Sequence, residues 1–298
     1  MNPREEGFLL LSSHLGVPDR KVLTQAQLRQ LSRRIAGAET PVEDRELETQ
    51  DLTRLGYGAD MAARILGLLG DEEILRHYLH RGRQSGCVPL TRVSDSYPQI
   101  LRKRLGPDSP GCLWMKGDAS LLGRPGIALV GSRELEPRNR AFAEAVGKQA
   151  ARRGLTLISG NARGADKTAQ EACLRHGGSV ISIVADRLDQ HREKERVLYI
   201  SEDGFDLPFS AQRALSRNRV IHCWGELVFV AQSRLGMGGT WDGTVQNLHS
   251  GWSTVVCFRD GSDAMATLEA QGAYLADIPE LEDMTAFTSP QEDLFHRL

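Results

Sequence analysis

Three short segments of this sequence combine glycine, serine or asparagine with arginine or lysine, residue types suited to gripping an anion, and a fourth is rich in glycine alone. The first is Val130-Gly131-Ser132-Arg133, where small residues leave backbone N–H groups free and the guanidinium adds a charge-assisted fork. The second is Ser159-Gly160-Asn161-Ala162-Arg163-Gly164-Ala165-Asp166-Lys167, in which Asp166 is expected to cap the helix that follows. The third is Ser216-Arg217-Asn218-Arg219-Val220-Ile221, expected as a basic turn facing the same groove. A fourth, Gly236-Met237-Gly238-Gly239-Thr240-Trp241-Asp242-Gly243-Thr244, is dense enough in glycine for a backbone to approach a phosphate closely. Each segment alone also fits an ordinary turn with a surface charge.

Conventional catalytic patterns are missing. His176, His191, His222 and His249 are scattered without metal-ligand spacing, and neither a G-x-S-x-G elbow nor a GxxxxGK[ST] loop occurs. Groups for holding phosphate without a nucleophile or base favour binding over turnover. The expectation is a protein with no catalytic residues, no metal and no cofactor.

The elements around these segments explain how they could converge. Ile127–Val130, Leu155–Ile158, Val180–Val184, Leu227–Val230 and Thr254–Phe258 are short apolar runs. Helical patterns of about ten residues alternate with them, through Phe142, Val146 and Ala150, then 166–175, then Val245 and Leu248. That alternation predicts an α/β fold, a Rossmann-like doubly wound parallel sheet with ligands at the carboxyl ends of its strands. Residues 1–92 read as a small all-helical domain, 93–260 as the Rossmann-like domain, and 261–298 as an acidic tail.

The chain has 298 residues with a formal charge of −2. From Gly261 onward there are eight acids against Arg297 alone, so the preceding 260 residues carry a net +5. A near-neutral total therefore does not exclude a nucleic-acid partner. The five cysteines form no CxxC pair and read as apolar filler in a reducing cytoplasm. No apolar run approaches the ~18 residues that span a bilayer, and the Phe8–Leu11 stretch is too short for a secretory signal.

Taken in order, Tyr97-Pro98, LWMKG from Leu113, IALVGSR ending at Arg133, LISGNARGAD ending at Asp166, Ser201-Glu202 and SRNRVI from Ser216 resemble the DNA-processing protein DprA (Smf) family. The resemblance covers roughly Tyr97 to Gly261. It implies a single-stranded DNA-binding protein, typically a homodimer, that passes strands to RecA in transformation or recombination. Its implied nucleic-acid site comprises Gly131, Ser132, Arg133, Ser159, Gly160, Arg163, Lys167, Arg217, Asn218 and Arg219. Gln170 stands where many relatives have histidine, and GMGGTWDGT replaces the family's last loop. That loop echoes the related LOG-like phosphoribohydrolases, a nucleotide-binding alternative, but lacks their glutamate.

Two accessory patterns remain. Residues 52–65 have the spacing of a helix-hairpin-helix around Gly56-Tyr57-Gly58. Gln291-Glu292-Asp293-Leu294-Phe295 resembles the pentapeptide by which replication proteins dock on the sliding clamp.

Overall fold

The computed structural model describes residues 1–37 and 47–287. The pentapeptide at 291–295 lies outside the described residues.

The first five helices are α1 (Pro3–Ser12), α2 (Gln25–Ala36), α3 (Thr49–Arg54), α4 (Ala59–Leu69) and α5 (Glu72–Gln84). Capping boxes start α1 (Asn2 with Glu5) and α2 (Thr24 with Gln27), each satisfying two backbone donors. Leu23, Leu28, Leu31, Leu52, Ala62, Ile65 and Leu68 form the core of this bundle. The turn between α3 and α4 carries the hairpin pattern. There Gly56 has φ +80°, and Arg34 donates to the Leu55 carbonyl at 2.9 Å while covering the Tyr57 ring. Helix α5 turns the other way: Leu75, Tyr78 and Leu79 join the core beneath the sheet.

Next come β1 (Val88–Thr91), α6 (Gln99–Leu105), β2 (Cys112–Gly117), β3 (Gly126–Val130), α7 (Pro137–Arg152), β4 (Thr156–Ser159) and α8 (Ala165–Arg175). The chain continues through β5 (Ser179–Val184), β6 (Val197–Glu202), α9 (Ala211–Trp224), β7 (Leu227–Val230) and α10 (Gly239–Ser250). It ends with β8 (Thr254–Phe258), α11 (Asp263–Ala270) and β9 (Tyr274–Ala276). The sheet order is β1-β2-β6-β5-β4-β3-β7-β8-β9. Strands β6 through β9 along that order pair in parallel, while β1–β2 and β2–β6 are antiparallel. Strands β3, β4, β5 and β7 are buried at every position, as expected when helices cover both faces. The five cysteines are free and buried.

The doubly wound parallel sheet is as the sequence predicts, with extensions it did not reveal. The sheet begins at Val88 and not after residue 92, because β1 and β2 add an antiparallel edge. It also continues past residue 260. Strand β9 pairs with β8, and Leu281, Met284 and Phe287 are buried in the sheet's core, so the described part of the expected tail is packed structure.

The chain leaves β3 and winds outward through β4, β5 and β6, then returns to place β7 on the other side of β3. This reversal opens a crevice between the loops after β3 and β7, the place where open α/β sheets hold ligands.

Candidate nucleic-acid interface

A cleft of about 780 Å³ occupies that crevice. Its lining comes from the end of β3 and the following loop, the turn before α8 with that helix's first turn, Phe209 with one side of α9 as far as Ile221, and the loop entering α10. Backbone contacts fix these loops against each other. The Ser132 N–H donates to the Gln232 carbonyl at 3.0 Å, and the Ala165 N–H donates to the Ser132 carbonyl at 3.1 Å. The second contact requires Gly164, which has φ +87° and no room for a Cβ beside the Ser132 carbonyl.

The floor of the cleft holds a buried charge pair. Arg217 is buried, donates Nη1 to the Ile183 carbonyl at 2.9 Å, and lies 4.0 Å from Asp166 Oδ2. Gly160 makes this possible, because a Cβ there would collide with both the guanidinium and the Asp166 carboxylate. Burial raises the pKa of Asp166, opposed by the Arg217 charge, the Ala162 N–H bond and Arg133. Burial likewise lowers that of Arg217, opposed chiefly by Asp166. Asp166 is not the cap of α8: Gly164 occupies that position, and the Asp166 carboxylate accepts the Ala162 N–H from within the first turn.

The expected site residues divide by position. Gly131, Ser132, Arg133, Arg163, Arg217 and Asn218 line the cleft. Arg133 and Arg163 are exposed, and Asn218 Nδ2 donates to the Gly239 carbonyl at 3.1 Å, holding the start of α10. Ser159, Gly160, Lys167 and Arg219 are not in the lining. Ser159 is fully buried and accepts Gln170 Nε2 at 3.0 Å, so Ser159 and Gly160 support the floor from below. Lys167 is exposed.

Segment 216–221 is not a turn but the interior of α9. Residues two apart on a helix point to different sides. Arg217 therefore meets Asp166, whereas Arg219 acts electrostatically on Glu202 and Asp203. Glu202 is itself buried, and its pKa is pushed up to about 7, first by burial and then by Asp203. Its Ser216 hydrogen bond and the charges of Arg219 and Arg213 oppose that shift.

Several lining residues carry no motif. Arg234, in the loop after β7, is exposed and adds a third solvated guanidinium beside Arg133 and Arg163. Phe209, Leu215 and Met237 form an apolar wall and are 57%, 52% and 63% exposed, the three most exposed large apolar side chains among the described residues. The glycine-rich stretch from Met237 to Thr240 also lines the cleft. The signal for the wall was weak, because only knowledge of which face of α9 looks outward marks Leu215 as exposed. One cleft thus offers cations and apolar surface together, the pair of contacts that an unpaired nucleic-acid strand can satisfy.

Comparison with known proteins follows the same line. The family model for DNA recombination-mediator protein A matches residues 89–251, more than half of the chain. DNA processing protein DprA of Streptococcus pneumoniae is 30% identical over 203 residues, covering 61% of this chain and 68% of that protein. Protein Smf of Escherichia coli is 31% identical over 156 residues, 47% of this chain and 40% of the Smf protein. The chain thus spans about two thirds of one relative and under half of the other. Among solved structures, S. pneumoniae DprA shares the fold with a TM-score of 0.68 at 22% identity, over 90% of this chain and 99% of that one. Helicobacter pylori DprA, described for its unique single-stranded DNA binding mode, has a TM-score of 0.54 at 21% identity over 65% and 93% of the two chains.

Proposed function

Since the chain belongs to the DNA recombination-mediator protein A family, we propose that it binds single-stranded DNA in the cleft between the loops after β3 and β7. The observation that carries this reading is the presence of two chemistries in the lining of one cleft. Arg133, Arg163 and Arg234 supply solvated positive charge for the sugar–phosphate backbone, while Phe209, Leu215 and Met237 offer apolar surface. A duplex turns its base faces inward and has no use for that surface. A single strand does.

In this reading the protein is a stoichiometric binder that makes and breaks no bond. It works in the cytoplasm as a homodimer and hands its strand to RecA, as the family resemblance implies. A clamp-docking role for residues 291–295 belongs to the same proposal. No helix among the described residues is long and apolar enough to cross a membrane.

The test is a titration of labelled oligo-dT against a duplex of equal length, followed by a RecA filament assay on the bound strand. Preferential binding of oligo-dT that weakens in Arg133→Ala is expected. Equal affinity for the duplex, or indifference to Arg133→Ala, rejects the cleft as the site. Base release from nucleoside monophosphates would instead favour the LOG-like nucleotide reading for the loop at 236–244.

A further inference from the structure

We propose that Glu134 is a built-in competitor for the phosphate, sitting in the free protein where a phosphodiester of the bound strand would lie. This rests on the single-strand reading above and adds a residue that sets its affinity.

Glu134 follows Arg133 in the loop after β3 and lines the cleft. Its Oε1 lies 3.5 Å from Arg163 Nη2, and its Oε2 lies 3.6 Å from Arg234 Nη2. The two arginines come from different loops, after β4 and after β7, so one carboxylate spans both. A phosphodiester brings the same features: a single negative charge and two terminal oxygens able to accept from two guanidiniums. Nothing buries Glu134, whose side chain is 72% exposed; its backbone N–H donates to Ser132 Oγ at 3.3 Å.

The charges lining this region are Arg133, Arg163 and Arg234 against Glu134 and Asp242, with Asp166 and Arg217 paired beneath. A strand entering the cleft must take both arginines from Glu134, whose carboxylate then stays close to the incoming phosphate. One isolated phosphate bears that whole displacement alone, whereas a strand spreads it over contacts with Arg133 and the apolar wall. Glu134 therefore biases the cleft toward extended strands and away from free phosphate or mononucleotides.

Glu134→Gln keeps the shape and removes the charge. It is expected to tighten oligo-dT binding roughly three- to tenfold at low salt, about 0.7–1.4 kcal/mol at 1.4 kcal/mol per tenfold. The gain should shrink at high salt because the ion pairs are solvated. Inorganic phosphate should compete with oligo-dT at lower concentration in the variant than in the wild type. Glu136→Gln is the control, since Glu136 is exposed two residues away but does not line the cleft. An equal gain in Glu136→Gln would make the effect one of net charge and overturn the proposal. Unchanged or weaker binding by Glu134→Gln, with Arg133→Ala still impaired, overturns it and leaves the single-strand reading standing. Absence of DNA binding by wild type and variant alike overturns both.

Discussion

Replacing Arg133 by alanine is expected to alter the salt dependence of single-strand binding by an amount that counts contacts. Three solvated guanidiniums, those of Arg133, Arg163 and Arg234, line the cleft, while Arg217 is buried against Asp166. Each phosphate neutralised on a single strand contributes about −0.7 to the slope of log K against log salt. Three contacts give a slope of about −2, and removing one leaves about −1.4. Between 50 and 200 mM salt the wild type should therefore weaken roughly 18-fold, and Arg133→Ala roughly sevenfold. Because Arg133 is exposed, its removal should leave the melting temperature nearly unchanged. Anisotropy titrations of a labelled oligo-dT at five salt concentrations measure the slope directly. A variant slope equal to that of the wild type would mean that Arg133 touches no phosphate and would refute the assignment.

Two further outcomes test other parts of the site. Phe209→Ala should weaken single-strand binding by roughly 1–3 kcal/mol, the usual value of one stacked base, without changing the salt slope; an altered slope, or an unchanged affinity, argues against stacking. Glu202 titrates near 7 in the folded protein against an ordinary 4.5, so the native state holds its proton more tightly than the unfolded chain does. The contribution of Glu202 to stability is then fully present below pH 4.5 and is lost as pH rises toward 7. The wild type should lose roughly 3 kcal/mol relative to Glu202→Gln across that window; parallel denaturation profiles for the two proteins would refute the shift.

Much of the fold was legible because buried parallel strands are written as unbroken apolar runs, as in Val180–Val184 and Leu227–Val230. Strand β6 was less visible, since its apolar Val197–Ile200 follows the charged run Arg192–Arg196 and the motif reading stopped at Ser201-Glu202. Strand β9 has three residues and offers no period to detect. The site was legible in its arginines but not in their directions. Arg217-Asn218-Arg219 reads as a compact basic turn, yet none of these residues breaks a helix, and α9 runs through all three. Once helical, the pair cannot converge on one ligand. The apolar wall was hidden for another reason: composition does not distinguish an exposed Phe209 or Leu215 from a buried one.

Burial then separates the arginines of this site into two kinds with different work to do. Arg213 donates to the carbonyls of Ala185, Leu207 and Pro208 at 2.7–2.9 Å and to Ser201 Oγ at 2.7 Å. Arg217 donates to the Ile183 carbonyl beside Asp166. Together they fasten α9 to the ends of β5 and β6, which holds Phe209 and Leu215 at the cleft wall. Arg133, Arg163 and Arg234 stay in solvent and act as charges. A planar fork with several donors is needed for the first task, whereas a compact ammonium can serve the second. Arg133→Lys should therefore keep most single-strand affinity and the full salt slope. Arg213→Lys should lower the melting temperature, because an ammonium has too few donors, placed too closely, to reach all four acceptors. Its loss of affinity should track the unfolding measured in the same buffer. Equal loss of binding from both substitutions in fully folded protein would erase the distinction and make Arg213 a direct ligand.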